Sequence, residues 1–239
     1  MINVDNLIKQ FGPRRAVDGV SFTVQPGTVL GFLGPNGAGK TTTIRMIAGF
    51  LRPTSGSILV NGIDMLANPV EAQRQVGYMP ERTPLYEEMT VESFLRFAAE
   101  MRGFQGAERN RRADAAIEKC FLGHVRHQVI ETLSKGYRQR TCLAQAILHD
   151  PSVLLLDEPT EGLDPNQKKV VRDMITEMGK KKVIMISTHV LEEVEAICSR
   201  VIIISGGKIV ADNTPAGLTR DGAKMEDVFR RITTTEDAA

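Results

Sequence analysis

The segment Gly34-Pro35-Asn36-Gly37-Ala38-Gly39-Lys40-Thr41-Thr42 constrains the fold of this chain more than any other feature. It carries the spacing GxxxxGK[ST], follows an apolar run at residues 28–33 and opens a stretch of helical periodicity. Glycines at 34, 37 and 39 let the backbone turn so that its N–H groups converge, and a helix N-terminus behind them adds positive potential. A strand, loop and helix of this kind cradle phosphate groups. Lys40 then sets a point charge on the β/γ-phosphates and the Thr41 hydroxyl faces a Mg²⁺ ion. A glycine-rich turn with an incidental lysine is the competing explanation, and it accounts for neither the full spacing nor the two flanks.

Around this unit the chain reads as an α/β fold. Apolar runs at 28–33, 153–156, 183–186 and 201–204 are short, aliphatic and often β-branched, as parallel strands buried on both faces are. Helix-period stretches at 40–50, 137–149, 166–179 and 190–198 lie between them, so a mostly parallel sheet flanked by helices is expected. The N-terminal part differs: residues 17–24 alternate apolar and polar before Pro26-Gly27, and 57–60 precede Asn61-Gly62, which predicts an antiparallel β layer with tight turns. Residues 91–133 have helical spacing and no strand candidate, and read as an inserted helical subdomain. The domain is expected to span 1–232, closing with a helix at 225–232, before a polar, flexible tail at 233–239.

With 42% hydrophobic residues the chain can fill a sizeable core, and a folded domain is expected. A net charge of +1 with dispersed Lys and Arg gives no electrostatic reason to expect nucleic acid as a partner. Cys120, Cys142 and Cys198 show no CxxC spacing and suit free thiols in a reducing, cytoplasmic setting. No apolar run approaches the roughly 20 residues that cross a bilayer, so any membrane role needs another chain to supply the span.

Two further places carry chemistry. The run Val153-Leu154-Leu155-Leu156-Asp157-Glu158-Pro159 is a buried strand ending in two carboxylates beside the expected phosphate loop. Asp157 suits holding Mg²⁺ through water, and Glu158 suits orienting and deprotonating an attacking water. Taken alone, the pair could instead cap a turn before Pro159. His189 ends another buried strand, where open α/β sheets place ligand chemistry, and its imidazole could reach a γ-phosphate or serve a structural contact.

Together with Leu133-Ser134-Lys135-Gly136-Tyr137-Arg138-Gln139-Arg140, these residues make the chain resemble the nucleotide-binding subunit of ABC transporters over almost its whole length. In that family a signature of the form LSGGQ sits at a helix N-terminus and reaches the γ-phosphate of ATP held by the other subunit. Ser134 and Gly136 match it, while Lys135 and Tyr137 replace the usual Gly and Gln. The resemblance implies that Phe11 stacks on adenine, that Asp164 in Glu161-Gly162-Leu163-Asp164 belongs to the segment linking the two sites, and that His189 is the switch histidine. Glu81, closing Gly77-Tyr78-Met79-Pro80-Glu81, stands where the family has a glutamine that contacts Mg²⁺. A carboxylate can also ligate the ion, but it adds charge beside Glu158 and the phosphates. As a lone residue it could equally be a surface acid after a turn proline. Glu81, the Lys-Gly-Tyr signature and the Glu-Gly-Leu-Asp segment are similar to the ATPases of two-component exporters, including gliding, multidrug and polysaccharide export systems.

The resemblance therefore implies an ATP- and Mg²⁺-dependent ATPase that pairs head to tail with a second ATP-binding subunit, expected to be an identical chain. It would drive a separate integral membrane permease, in the export direction, from the cytoplasmic face of the membrane. A soluble ABC-type ATPase acting on DNA or ribosomes is the alternative, and the chain lacks the long coiled-coil insertion or tandem domain those proteins carry. His124 with His127, and the basic run Arg109, Arg111 and Arg112, read as solvated surface.

Overall fold

The computed structural model describes the backbone of residues 1–234 and the side chains in that range other than that of Asp221. The chain opens with the antiparallel pair β1 (Ile2–Phe11) and β2 (Arg14–Val24), followed by β3 (Val29–Leu33), α1 (Lys40–Ile47), β4 (Ser55–Val60) and β5 (Ile63–Asp64). Next come α2 (Pro69–Arg74), β6 (Val76–Met79), α3 (Val91–Met101), α4 (Gly106–Lys119), α5 (Lys135–Ile147) and β7 (Val153–Asp157). The last third supplies α6 (Pro165–Gly179), β8 (Val183–Thr188), α7 (Leu191–Ile197), β9 (Arg200–Ser205), β10 (Lys208–Asn213), α8 (Pro215–Leu218) and α9 (Met225–Thr234).

Two sheets result. The order β2-β1-β4-β5 is antiparallel throughout, and β10-β9-β3-β8-β7-β6 is parallel except at its β10 edge. This is the mixed α/β arrangement expected, with the antiparallel layer at the N-terminus. Every residue of β3, β7 and β8 is buried, which is why these strands are continuous aliphatic runs rather than alternating ones. One face of the parallel sheet packs with the antiparallel layer and α1 through Leu30, Phe32, Ile44, Leu155 and Met185. The other packs with α3 to α7 through Leu95, Ile117, Leu143, Ile175 and Ile186. Burying these faces is the main source of stability, at about 25 cal/mol per Å² of apolar surface.

Several boundaries differ from the sequence reading, each for a local reason. α1 ends at Ile47 rather than at 50, because Gly49 (φ +75°) closes it: Gly49 N donates to Met46 O at 3.1 Å and Phe50 N to Arg45 O at 2.9 Å, a Schellman termination. β1 escapes a periodicity search because Asn6 (φ +43°) and its bulges break the alternation. β6 is short and contains Gly77, where a Cβ would lie 2.2 Å from Ala146 O, so α5 packs directly on the strand backbone. Residues 91–133 hold α3, α4 and two 3₁₀ turns, and the only pairing among the described residues there is the isolated bridge of Thr90 with Val129. Thr233 and Thr234, expected to begin a tail, belong to α9, and residues 235–239 lie outside the described residues. Among the described residues no helix is long and apolar enough to cross a membrane.

Strand register places the chemistry. Met79 pairs with Leu156, Asp157 with Ser187 and Leu33 with Thr188, so β6, β7, β8 and β3 end side by side at one edge of the sheet. Glu81, Glu158, His189 and the Gly34–Lys40 loop leave that edge together, where parallel sheets collect ligand residues.

Candidate functional site

At this edge a cavity of about 690 Å³ is lined by Phe11, Asn36, Lys40, Thr41, Glu81, Glu158 and His189. These side chains come from segments far apart in sequence. The loop between β3 and α1 is held close by contacts only glycine tolerates. A Cβ on Gly39, at φ +108°, would sit 2.5 Å from Ala16 O, and one on Gly34 would sit 2.3 Å from Ile204 O. Gly39 is the residue preceding α1 and offers no side-chain cap, and the first turn of α1 has no acidic residue. The orphan N–H groups of that turn therefore suit an external anion.

Lys40 is 7% exposed, and its Nζ donates to Gly34 O at 2.7 Å and Pro35 O at 3.1 Å. A phosphate on this loop would compete with the two carbonyls for the ammonium. Burial holds the Lys40 ammonium below its ordinary pKa, opposed by the charges of Glu158, Asp157 and Glu81. An anionic ligand relieves that cost.

Asp157 is 1% exposed at the end of β7, and its Oδ1 accepts from Thr41 Oγ1 at 3.3 Å and from Ser187 Oγ. Its Oδ2 is buried with no hydrogen-bond partner. A buried carboxylate oxygen left open beside a threonine hydroxyl is the donor set a hydrated Mg²⁺ fits. No cluster of three or more His, Cys, Asp or Glu able to hold a metal occurs among the described residues.

Glu158 adopts φ +51°, a strained conformation for a residue with a Cβ. Its N–H donates to Ser187 O at 3.0 Å, and its carbonyl accepts from Gln139 Nε2 at 3.5 Å. This turn swings the Glu158 carboxylate away from Asp157 and onto His189, with Nδ1 to Oε1 at 2.8 Å. Burial raises the Glu158 pKa against the opposing pull of His189 and Lys40. A carboxylate with elevated proton affinity, 9% exposed and open to a cavity, is suited to accepting a proton.

The other expected residues divide. Gly37 and Thr42 line the cavity, whereas Gly34, Pro35 and Ala38 do not: Gly34 and Ala38 are buried behind the loop and Pro35 is exposed outside the cavity. Phe11, at the end of β1, is half exposed at the cavity mouth with Lys9 Nζ 5.1 Å from its ring centroid. Asp164 points elsewhere and caps α6, accepting from Asn166 N and Gln167 N at 3.0 Å. Ser134 and Gly136 open α5 outside the cavity, with Ser134 exposed and making no side-chain cap.

Three lining residues escaped the sequence reading of the site: Arg14, whose Nη2 donates to Gly37 O at 3.3 Å, Ala16 and Glu161. Arg14 begins β2, three residues past Phe11, and that proximity was the available signal.

Comparison with known proteins adds a second line of observation. The family described as ABC transporter matches residues 17–161. Over 227 residues the chain is 38% identical to the probable multidrug ABC transporter ATP-binding protein YbhF of Escherichia coli (strain K12), covering 95% of this chain but 39% of that protein. It thus spans well under half of that relative's length. It is 35% identical over 225 residues to the lipopolysaccharide export system ATP-binding protein LptB of Haemophilus influenzae, covering 92% of this chain and 93% of that one. A solved structure of an ATP-binding subunit of an ABC transporter matches with a TM-score of 0.87 and 31% identity, over 97% of this chain and 99% of the other.

Proposed function

The chain belongs to the ABC transporter family as an ATP-binding ATPase subunit, and from that premise we propose that two copies pair head to tail around two ATP molecules to drive a separate membrane permease. The observation that carries this reading is the split of the site. Lys40, Thr41, Glu158 and His189 share one cavity, while Ser134, exposed just before α5, is not among the residues that line it. The signature residues of one chain then serve the cavity of the other.

Phosphates settle on the Gly34–Thr42 loop and take over the two carbonyl contacts of Lys40 Nζ, and adenine lies on Phe11. Thr41, Asp157 and, at the cavity wall, Glu81 are the residues that would hold Mg²⁺. When bound, that ion offsets charge on the β- and γ-phosphate oxygens. Glu158 orients a water in line with the γ-phosphorus and accepts its proton as the P–O bond to ADP breaks. With Glu158 ionised, Nδ1–H of His189 is the donor between them. Closure on the γ-phosphate draws the imidazole from Glu158, which frees the carboxylate for water and turns the histidine to the phosphoryl oxygens. Loss of the bridging γ-phosphate lets the pair reopen.

The permease follows that motion from a groove of about 590 Å³ beside Glu81, lined by Arg45, Phe50, Tyr78, Pro80, Pro84 and Arg102. Phe50 is 71% exposed there, the kind of uncovered aromatic that marks a docking surface. Export is the direction we propose, supported by the likeness to LptB and by the Lys135-Gly136-Tyr137 signature. The test is to tag the chain in its native cell and identify by mass spectrometry what copurifies from gently solubilised membranes. A stoichiometric polytopic protein is expected, and ribosomal or DNA-repair partners without one contradict the transporter reading.

A further inference from the structure

Behind the Glu158–His189 contact lies a second carboxylate that the mechanism above does not use. Glu193, on α7, is 2% exposed and points into the interior rather than into the cavity. Its Oε1 accepts from Thr160 Oγ1, and its Oε2 accepts from Thr188 Oγ1 at 3.3 Å. Lys168 Nζ, on α6, approaches Oε1 at 3.9 Å and is the nearby cation. Thr160 and Thr188 are 1% and 0% exposed.

The two hydroxyls belong to the two segments whose relative position sets the site. Thr160 stands two residues after Glu158, across Pro159, and Thr188 stands immediately before His189. Glu158 is held in a strained left-handed conformation and needs restraint on both sides. On the strand side, backbone pairing to Ser187 provides it. On the far side, the Thr160–Glu193–Thr188 bridge provides it, while Thr188 Oγ1 also accepts from Val190 N at 3.0 Å and so fixes the chain just past His189. A buried carboxylate is costly to place, and here it is offset by two hydroxyl donors and one ammonium rather than by solvent.

We infer that Glu193 is a positioning residue for ATP hydrolysis, a buried clasp that sets the separation and orientation of Glu158 and His189 by tying Thr160 to Thr188. The inference rests on the functional reading of Glu158 and His189 given above. Lys168 extends the clasp to α6, the helix that starts at the Glu161–Asp164 segment, so movement of that segment on pairing of two chains reaches the catalytic pair through Glu193.

The test compares wild type, Glu193→Ala and Thr160→Val, the last removing a single hydroxyl at nearly constant shape. Two quantities are read on folded protein of matched melting temperature: the His189 ring resonances by NMR without nucleotide, and steady-state hydrolysis. Expected are displaced His189 signals with those of the distant His149 unchanged, and a kcat lowered about tenfold to a hundredfold with ATP affinity within about twofold of wild type. In a His189→Ala background, Glu193→Ala costs little further, because the two act through one geometry. Unmoved His189 resonances in both variants, or losses that multiply fully with His189→Ala, overturn the inference. Normal turnover in Glu158→Gln overturns the functional reading instead, and the resonance displacement still judges the clasp.

Discussion

His149 gives a quantitative test of how the interior beside the site is built. It sits just past the end of α5, and its Nε2 donates to Val76 O at 3.0 Å, at the start of the strand that leads to Glu81. Its Nδ1 is buried with no partner, so a second proton there has no acceptor. Burial, reinforced by the positive charge of Arg102, lowers its pKa from 6.5 to about 4. Because the folded value lies below the unfolded one, the stabilisation is fully present above pH 6.5 and is lost as pH falls toward 4. At pH 5 the loss works out at about 2 kcal/mol, which screening at this partly exposed position reduces to about 1–2 kcal/mol. His149→Gln keeps a donor for Val76 O and removes the titration. Urea unfolding followed by far-ultraviolet circular dichroism, the chain having no tryptophan, should show wild type losing that much more stability than the variant between pH 7.5 and pH 5. Identical pH dependence in the two proteins, or a native His149 titrating near 6.5, refutes the argument.

Two other perturbations act on the site itself. Gly39→Ala places a methyl 2.5 Å from Ala16 O at φ +108°, so it should cost at least about 1–3 kcal/mol in a thermal melt and abolish binding of a fluorescent ATP analogue. Asp157→Asn removes the charge whose Oδ2 stands open, and should raise the Mg²⁺ concentration for half-maximal hydrolysis about tenfold or more in a metal titration.

The parts of the fold that the sequence made legible are those where one physical demand dominates. β3, β7 and β8 are buried on both faces and had to be aliphatic, and the Gly34–Thr41 loop needs its glycines because backbone passes within van der Waals distance. β1 and β6 were missed because a positive-φ asparagine and a glycine against α5 interrupt their patterns, and neither feature has a strand signature. Within the site, Lys40, Asp157, Glu158 and His189 could be placed since each follows directly on a buried strand or opens a helix. Arg14 offered only its nearness to Phe11 and Glu161 only its place three residues before Asp164, and neither stands in a phosphate-binding pattern of its own. Asp164 caps α6 within its own chain, and the role that the resemblance implies for it, in the segment linking two sites, concerns a second chain.

Glu158→Gln tests the central claim most directly. With the carboxylate replaced by its isosteric amide, the account predicts that hydrolysis almost ceases while ATP still binds, and that an ATP-bound dimer accumulates on size-exclusion chromatography with light scattering. Normal turnover in this variant, or loss of turnover with the ATP-bound chain remaining a monomer, contradicts it.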